Sequence, residues 1–154
     1  MKVVAVQMRD GSEPLQVIYT VVAFKSPAAP PCVLAERATA TGNFQKVTKS
    51  LIDKLPHSND RRTFMLQQYA FHVLVKDQIV FLAMVDKNLN CPKTMPFSFL
   101  DTLSEIFFAL QSSYQISLQN LGKMMDQVLT IQMQRYAGDS TLHRIDLVKT
   151  EMQE

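Results

Sequence analysis

The segment from Gly42 to Asp86 constrains the fold more than any other part of the chain, because it places one amphipathic helix before three strand-like runs. Its first apolar residues recur at helical spacing, and polar side chains take the opposite face. These apolar residues are Phe44, Val47, Leu51 and Leu55. The pattern predicts a helix from Asn43 to Leu55 that buries one side, with Asn43 as N-cap and Pro56 as the stop.

Three runs after this helix have the composition of strands: Arg61 to Gln68, Ala70 to Lys76 and Gln78 to Val85. The last two are separated so briefly that a tight hairpin at Asp77 is predicted. The run from Ile79 to Val85, like an earlier one from Val17 to Phe24, is apolar on both alternating faces. Such strands need cover on both sides, so we expect them inside a sheet.

The remaining runs complete an α+β pattern. Cys32 to Thr39 and Arg61 to Gln68 are more polar and are predicted to form the sheet edges. The prolines between Ser26 and Pro31 predict a stiff loop rather than a two-residue turn. Pro96 fits the first turn of a second helix, and a third is predicted from Ser117 to Tyr136. With one helix before the three-strand meander and two after it, we expect one helix on one face of the sheet and two on the other.

Composition excludes several classes of function. The chain has 154 residues, 47% of them hydrophobic and 19% charged, which is typical of one globular domain. A net charge of +2 without a basic run does not indicate a nucleic-acid partner. Cys32 and Cys91 lie far apart, so reduced thiols are the simpler interpretation and a disulfide the alternative. No metal, nucleotide or other cofactor motif and no catalytic set occurs, so we expect no enzymatic activity and no cofactor requirement.

Several sequence pieces together resemble the longin domains of synaptobrevin-like vesicle R-SNAREs. They are VIYTVVAF from Val17, GNF opening a helix that ends in KLP, RRTF, YAFHVLVKDQIVFLAMVD and MPFSFLDTL. The resemblance covers about Val17 to Tyr136. It implies a longin/profilin-like fold with a five-stranded, mainly antiparallel sheet.

The resemblance also implies a division of the chain. Residues 17–137 would be the longin domain, and 138–154 a linker with the first turns of a SNARE coiled coil. Residues 1–16 depart from the family, whose first strand normally starts near the N-terminus, so we expect a loosely ordered extension there, with a hairpin turned at Asp10-Gly11 as the alternative. Apolar residues at Ile145, Val148 and Met152 match the opening SNARE layers, and their spacing is that of a coiled-coil seam. The central SNARE arginine and a membrane anchor would lie beyond Glu154, since no apolar run of 18 residues occurs in the chain.

By this resemblance, a groove between the first helix and the strand from Arg61 would bind partners. Phe64 and Leu66 lie on one side of the strand, and Ile52 is about 80° from the Phe44 axis on the helical wheel, which predicts that it lines the groove. Arg62 stands where close relatives often carry an apolar residue, which would shrink the apolar patch or favour an acidic partner. The implied partners are the protein's own SNARE motif, cognate Q-SNAREs, and sorting adaptor or tether proteins. The implied location is the cytoplasmic face of vesicle, endosomal or Golgi-derived membranes.

Two other functions stay open from the sequence. The chain is alternatively a longin-fold adaptor or tether subunit without SNARE activity, which would lack a continuing coiled coil. A ligand-sensing module on a similar scaffold would need a roomy apolar cavity, and large residues such as Phe71 and Phe81 at strand centres argue against one.

Overall fold

A computed structural model describes residues 5–7, 17–87 and 94–137. The strands in these ranges are β1 (Ala5–Gln7), β2 (Val17–Ser26), β3 (Ala29–Ala38), β4 (Ala40–Gly42), β5 (Asp60–Leu66), β6 (Tyr69–Lys76) and β7 (Ile79–Asp86). The helices are α1 (Phe44–Asp53), α2 (Met95–Tyr114) and α3 (Leu118–Ala137). The predicted α+β class is confirmed.

Five of the strands form one antiparallel sheet in the order β3-β2-β7-β6-β5. The middle strand, β7, buries every residue from Ile79 to Val85. Its neighbour β2 buries the run from Val17 to Ala23. Strands that are apolar on both faces therefore occupy the interior, as predicted, and the more polar β3 and β5 form the edges.

The sheet lies between two helical layers. Alternate residues of each strand face opposite sides, so Leu82 packs in the cluster under α1 while Phe81 packs in the cluster under α2 and α3. The ring of Phe81 meets Phe107 of α2 edge-on, with centroids 5.7 Å apart. The predicted arrangement of one helix on one face and two on the other is confirmed.

Helix α3 approaches the sheet closely at Gly122. A Cβ atom placed on Gly122 would lie 2.4 Å from the carbonyl oxygen of Leu34 in β3. Only a hydrogen atom fits in that space, which explains a glycine inside a helix despite its low helical propensity.

The connection between β2 and β3 differs from the prediction. The chain reverses through Pro27 and Ala28 alone, so the stiff loop expected over 26–31 is wrong. Pro30 and Pro31 lie inside β3 instead. An edge strand tolerates proline because its outer N–H groups need no partner in the sheet, and the β2 to β3 register is irregular near this point, between Phe24 and Ser26.

The hairpin between β6 and β7 is confirmed. Its turn residues Asp77 and Gln78 both have positive φ, 50° and 70°. Such angles belong to the two-residue turns whose twist matches that of paired strands.

A small ribbon lies apart from the main sheet. Strand β1 pairs antiparallel with β4, with Ala5 opposite Gly42 and Gln7 opposite Ala40. The predicted loosely ordered extension over 1–16 is therefore wrong for Ala5–Gln7, because β4 supplies backbone partners that the sequence pattern did not reveal. The other residues of that extension lie outside the described ranges.

Candidate protein-docking surface

The two edge strands of the sheet differ in how well their free edges are protected. Strand β3 contains Pro30 and Pro31, has two register irregularities against β2, and contacts α3 at Leu34. Strand β5 contains no proline and pairs with β6 in unbroken register over all seven residues. Prolines and bulges discourage pairing with another chain. The free edge of β5 is therefore the more open one for an extended partner segment.

The face of β5 toward α1 is apolar at its C-terminal end. Phe64 and Leu66 are half-buried and pack against the core cluster under α1. In the pairing with β6, Phe64 lies opposite Phe71 and Leu66 lies opposite Tyr69. Each side chain thus has one side on the core and one side in solvent, and the two are neighbours on the same face.

Ile52 does not line this surface. It is 1% exposed and belongs to the core cluster under α1. The buried arc of α1 runs from Val47 to Ile52 on the helical wheel, about 140° at roughly 100° per residue. Because the helix buries a wider arc than the expected narrow stripe, the prediction that Ile52 lines a groove is wrong.

Lys25 holds the C-terminal end of α1 against the sheet. Its ammonium group donates hydrogen bonds of 2.6 Å to the carbonyl oxygens of Ile52 and Leu55, although Lys25 belongs to β2 and is only 6% exposed. A cation is favourable there because the last carbonyls of a helix carry partial negative charge. Burial lowers the pKa of the Lys25 ammonium group, opposed by the nearby Asp53 carboxylate.

The two arginines of β5 project from opposite sides of the strand. Arg61 donates to both carboxylate oxygens of Asp101 in α2, at 2.7 and 3.3 Å, and its guanidinium lies 5.6 Å from the ring centroid of Phe97. Arg62 forms an ion pair with Asp60 of the same strand, and 47% of its side chain is exposed. Arg62 therefore joins Phe64 and Leu66 on the face that the sequence predicted, and it remains accessible to a partner.

The opposite face of β5 carries a residue that the sequence analysis missed. Met65 is 54% exposed and lies between Phe64 and Leu66 in the strand. Next to it on this face, the Thr63 hydroxyl lies 2.9 Å from Nδ1 of His72. Strand alternation was the available signal, since a residue between two inward side chains must face the other side.

His72 makes the stability of this edge sensitive to acid. Burial lowers the pKa of the imidazole below its usual 6.5, so the unfolded chain binds the proton more readily than the folded one. Stability is then complete above about pH 6.5 and falls as the pH drops through that value toward the lowered pKa. We expect the melting temperature to fall less between pH 7.5 and 5.5 in His72→Gln than in the wild type. The control is His57→Gln, because His57 lies in an exposed loop. An equal fall of the melting temperature in His72→Gln and in the wild type would contradict the assignment.

A cleft of about 610 Å³ lies on the other flank of α1, between its N-terminal end and strands β3 and β4. Glu36 is held there by the hydroxyl of Tyr19, which donates a bond of 2.6 Å, and by the amide of Gln45. Burial and then this hydrogen bond raise the pKa of Tyr19. Arg37 and Lys46 also line the cleft, so its charges are mixed and select no ligand by sign. The sequence did not predict this cleft because it depends on β4.

Other predicted features lie outside the described ranges or concern absences within them. The SNARE-layer residues Ile145, Val148 and Met152 lie outside, as does Cys91, while Cys32 is an exposed free thiol. Within 5–7, 17–87 and 94–137, no three potential ligand side chains are grouped around a metal-sized space. In the same part of the chain no helix combines the length and the apolar character that crossing a membrane requires.

Comparison with known proteins gives one family match. The family model of the Longin domain, described as a regulated-SNARE-like domain, matches residues 34–129. This range includes the second half of β3, all of the other edge strand, β5, and all of α1 and α2.

Similar curated proteins include three with related names. Vesicle-associated membrane protein 7B of Dictyostelium discoideum is 28% identical over 120 residues, which is 70% of this chain and 44% of that protein. Vesicle-associated membrane protein 7 of Rattus norvegicus is 26% identical over 127 residues, which is 79% of this chain and 56% of that protein. Vesicle-associated membrane protein 713 of Arabidopsis thaliana is 27% identical over 124 residues, covering 78% and 55%. The chain thus spans about half the length of the curated relatives it matches.

Proposed function

Because the chain belongs to the Longin family of regulated-SNARE-like domains, we propose that it is the N-terminal regulatory and targeting domain of a vesicle R-SNARE. The observation that carries this proposal is the family match over residues 34–129, together with relatives named as vesicle-associated membrane proteins. In this role the protein acts in vesicle trafficking and membrane fusion, and its partners are SNARE proteins.

The proposed mechanism uses β5 and its two half-buried side chains. The free edge of β5 offers backbone donors and acceptors, and Phe64 and Leu66 offer apolar surface that is only partly covered. A SNARE segment of the complete protein that folds back onto this surface is held away from its partner SNAREs. A sorting adaptor that binds the same surface competes with fold-back, so the domain is either in a closed state or in an adaptor-bound state.

A substitution at Phe64 tests fold-back in the complete cytosolic protein. Phe64→Ser removes apolar contact from the docking face, and cross-strand pairs contribute roughly 0.2–1 kcal/mol. We therefore expect SNARE assembly to become about 1.5- to 5-fold faster, measured by fluorescence transfer between labelled SNAREs. The domain should remain folded, because Phe64 is at the margin of the core.

Val33→Ser is the matched control for this test. Val33 is an apolar residue of the other edge strand and is 51% exposed, so its replacement by serine should leave the assembly rate unchanged. A folded Phe64→Ser protein that assembles at the wild-type rate would rule out fold-back at this surface. An adaptor or tether role would then be the better account of the domain.

A further inference from the structure

We propose that β5 recognises an extended, antiparallel segment of another protein with three consecutive apolar residues, one further residue, and then an acidic residue. This inference rests on the proposed docking role of β5 and adds the chemistry of the partner. The juxtaposition that carries it is the run of exposed or half-exposed side chains Arg62, Phe64, Met65 and Leu66 along an edge strand without prolines or bulges.

Three consecutive positions of β5 call for apolar partners. Phe64 and Leu66 present partly covered apolar surface on the α1 side, and Met65 is 54% exposed on the other side. An added strand places its own alternate side chains beside those of its neighbour on both faces. Each partner residue opposite Leu66, Met65 or Phe64 therefore buries apolar area if it is itself apolar, and the largest area is buried when all three are.

The next two residues of β5, Thr63 and Arg62, already have partners within the domain, but to different degrees. The Thr63 hydroxyl is bound to His72, so the residue opposite Thr63 has no fixed requirement. Among the described residues, Arg62 forms an ion pair with Asp60 of its own strand, and 47% of its side chain is exposed. By contrast, Arg61 is committed to both oxygens of Asp101. An acidic partner residue opposite Arg62 can therefore form an ion pair with its guanidinium, whereas one opposite Arg61 would compete with Asp101.

The antiparallel direction follows from the sheet, in which every neighbouring pair is antiparallel. Read from its N-terminus, the partner then meets Leu66 first and Arg62 last. Residues 138–154 of this chain contain no three consecutive apolar residues, so this stretch does not supply the segment. The proposed occupant is a segment of a separate protein, such as the adaptor that competes with fold-back for this surface, and not residues 138–154.

A peptide pair tests the inference on the domain itself. The first peptide is fluorescein-labelled TIVVTETSK, and the second has lysine in place of the glutamate. We expect the wild-type domain to bind the glutamate peptide about fivefold more tightly than the lysine peptide, and Arg62→Glu to reverse that order. Amide resonances of Asp60–Leu66 should shift in NMR spectra, whereas those of β3 should not.

Two controls separate pairing at β5 from general charge attraction. Arg37→Glu makes the same charge change on the other edge strand and should keep the wild-type preference. A glutamate peptide that is N-methylated at the alternate residues whose N–H groups face β5 cannot complete the ladder, so it should bind about tenfold more weakly.

Several results would overturn the inference without touching the proposed fold-back. The inference is wrong if the glutamate peptide does not bind at millimolar concentration or if both peptides bind equally well. It is also wrong if a peptide with the reversed residue order binds as tightly as the glutamate peptide. Resonance shifts confined to the cleft beside Glu36 would do the same. Because fold-back is measured by the rate of SNARE assembly in Phe64→Ser, either idea can fail while the other stands.

Discussion

Gly122→Ala is expected to destabilise the domain, although the same change stabilises most helices. The added Cβ would lie 2.4 Å from the Leu34 carbonyl oxygen and 3.0 Å from its carbonyl carbon, so either α3 or β3 must move. Overpacking of this kind costs about 1–3 kcal/mol, which exceeds the gain of up to about 1 kcal/mol from replacing a helical glycine. At about 2–4 °C per kcal/mol for a chain of this size, thermal unfolding should show a clear decrease in melting temperature.

Lys123→Ala is the control for this prediction. Lys123 is the next residue of α3 and is exposed, so its change to alanine should alter stability by less than about 0.5 kcal/mol. If Gly122→Ala raised the melting temperature instead, the close approach of α3 to β3 would be incorrect.

Lys25→Met is expected to loosen the C-terminal end of α1. The substitution keeps the approximate length of the side chain but removes both hydrogen bonds to the carbonyl oxygens of Ile52 and Leu55. A hydrogen bond to a charged group contributes about 1.5–3 kcal/mol, and relief from burying the ammonium offsets part of the loss. We expect the free energy of unfolding to fall by about 2 kcal/mol, measured by urea denaturation.

The position of this lysine, rather than its charge alone, determines the expected loss. Lys54→Met removes a lysine directly after α1, but Lys54 is exposed and should change stability by less than about 0.5 kcal/mol. Hydrogen exchange offers a second readout, since the amides of Leu51 to Leu55 should exchange faster in Lys25→Met alone. Unchanged exchange in that variant would show that the capping bonds do not hold the helix.

The sequence was sufficient to predict the elements whose apolar pattern is long and regular. In the strand Ile79–Asp86, every residue except the last is buried, as its continuous apolar run predicts. The starts of α1 and α2 carry recognisable residues, with Asn43 before the first and Pro96 within the first turn of the second. Such local signals decide secondary structure, and two-sided burial decides which strands lie inside the sheet.

Features that depend on contacts between distant residues were not predictable in this way. Ile52 is buried in the cluster under α1, most of whose members come from strands distant in the chain, and helical periodicity contains no information about those contacts. The ordering of Ala5–Gln7 requires β4, and β4 is too short to have a pattern of its own. For the candidate site, strand alternation and family resemblance predict Phe64, Leu66 and Arg62, whereas Met65 lies on the opposite face of β5, to which the resemblance assigns no partner.

The order of strands also has a consequence for how the domain folds. Strands β5, β6 and β7 are neighbours both in sequence and in the sheet, joined by two-residue connections, whereas β2 must reach β7 across 62 residues, as in the bond from Thr20 to the Leu82 carbonyl. Local pairings form before distant ones because loop closure costs more entropy as the loop lengthens. We therefore expect the meander of β5, β6 and β7 to form first. The addition of β2, with β3 paired to it, onto β7 should then limit the folding rate. During synthesis, β5 would then be paired on its inner side before the sheet is complete, with its outer edge already available to a partner.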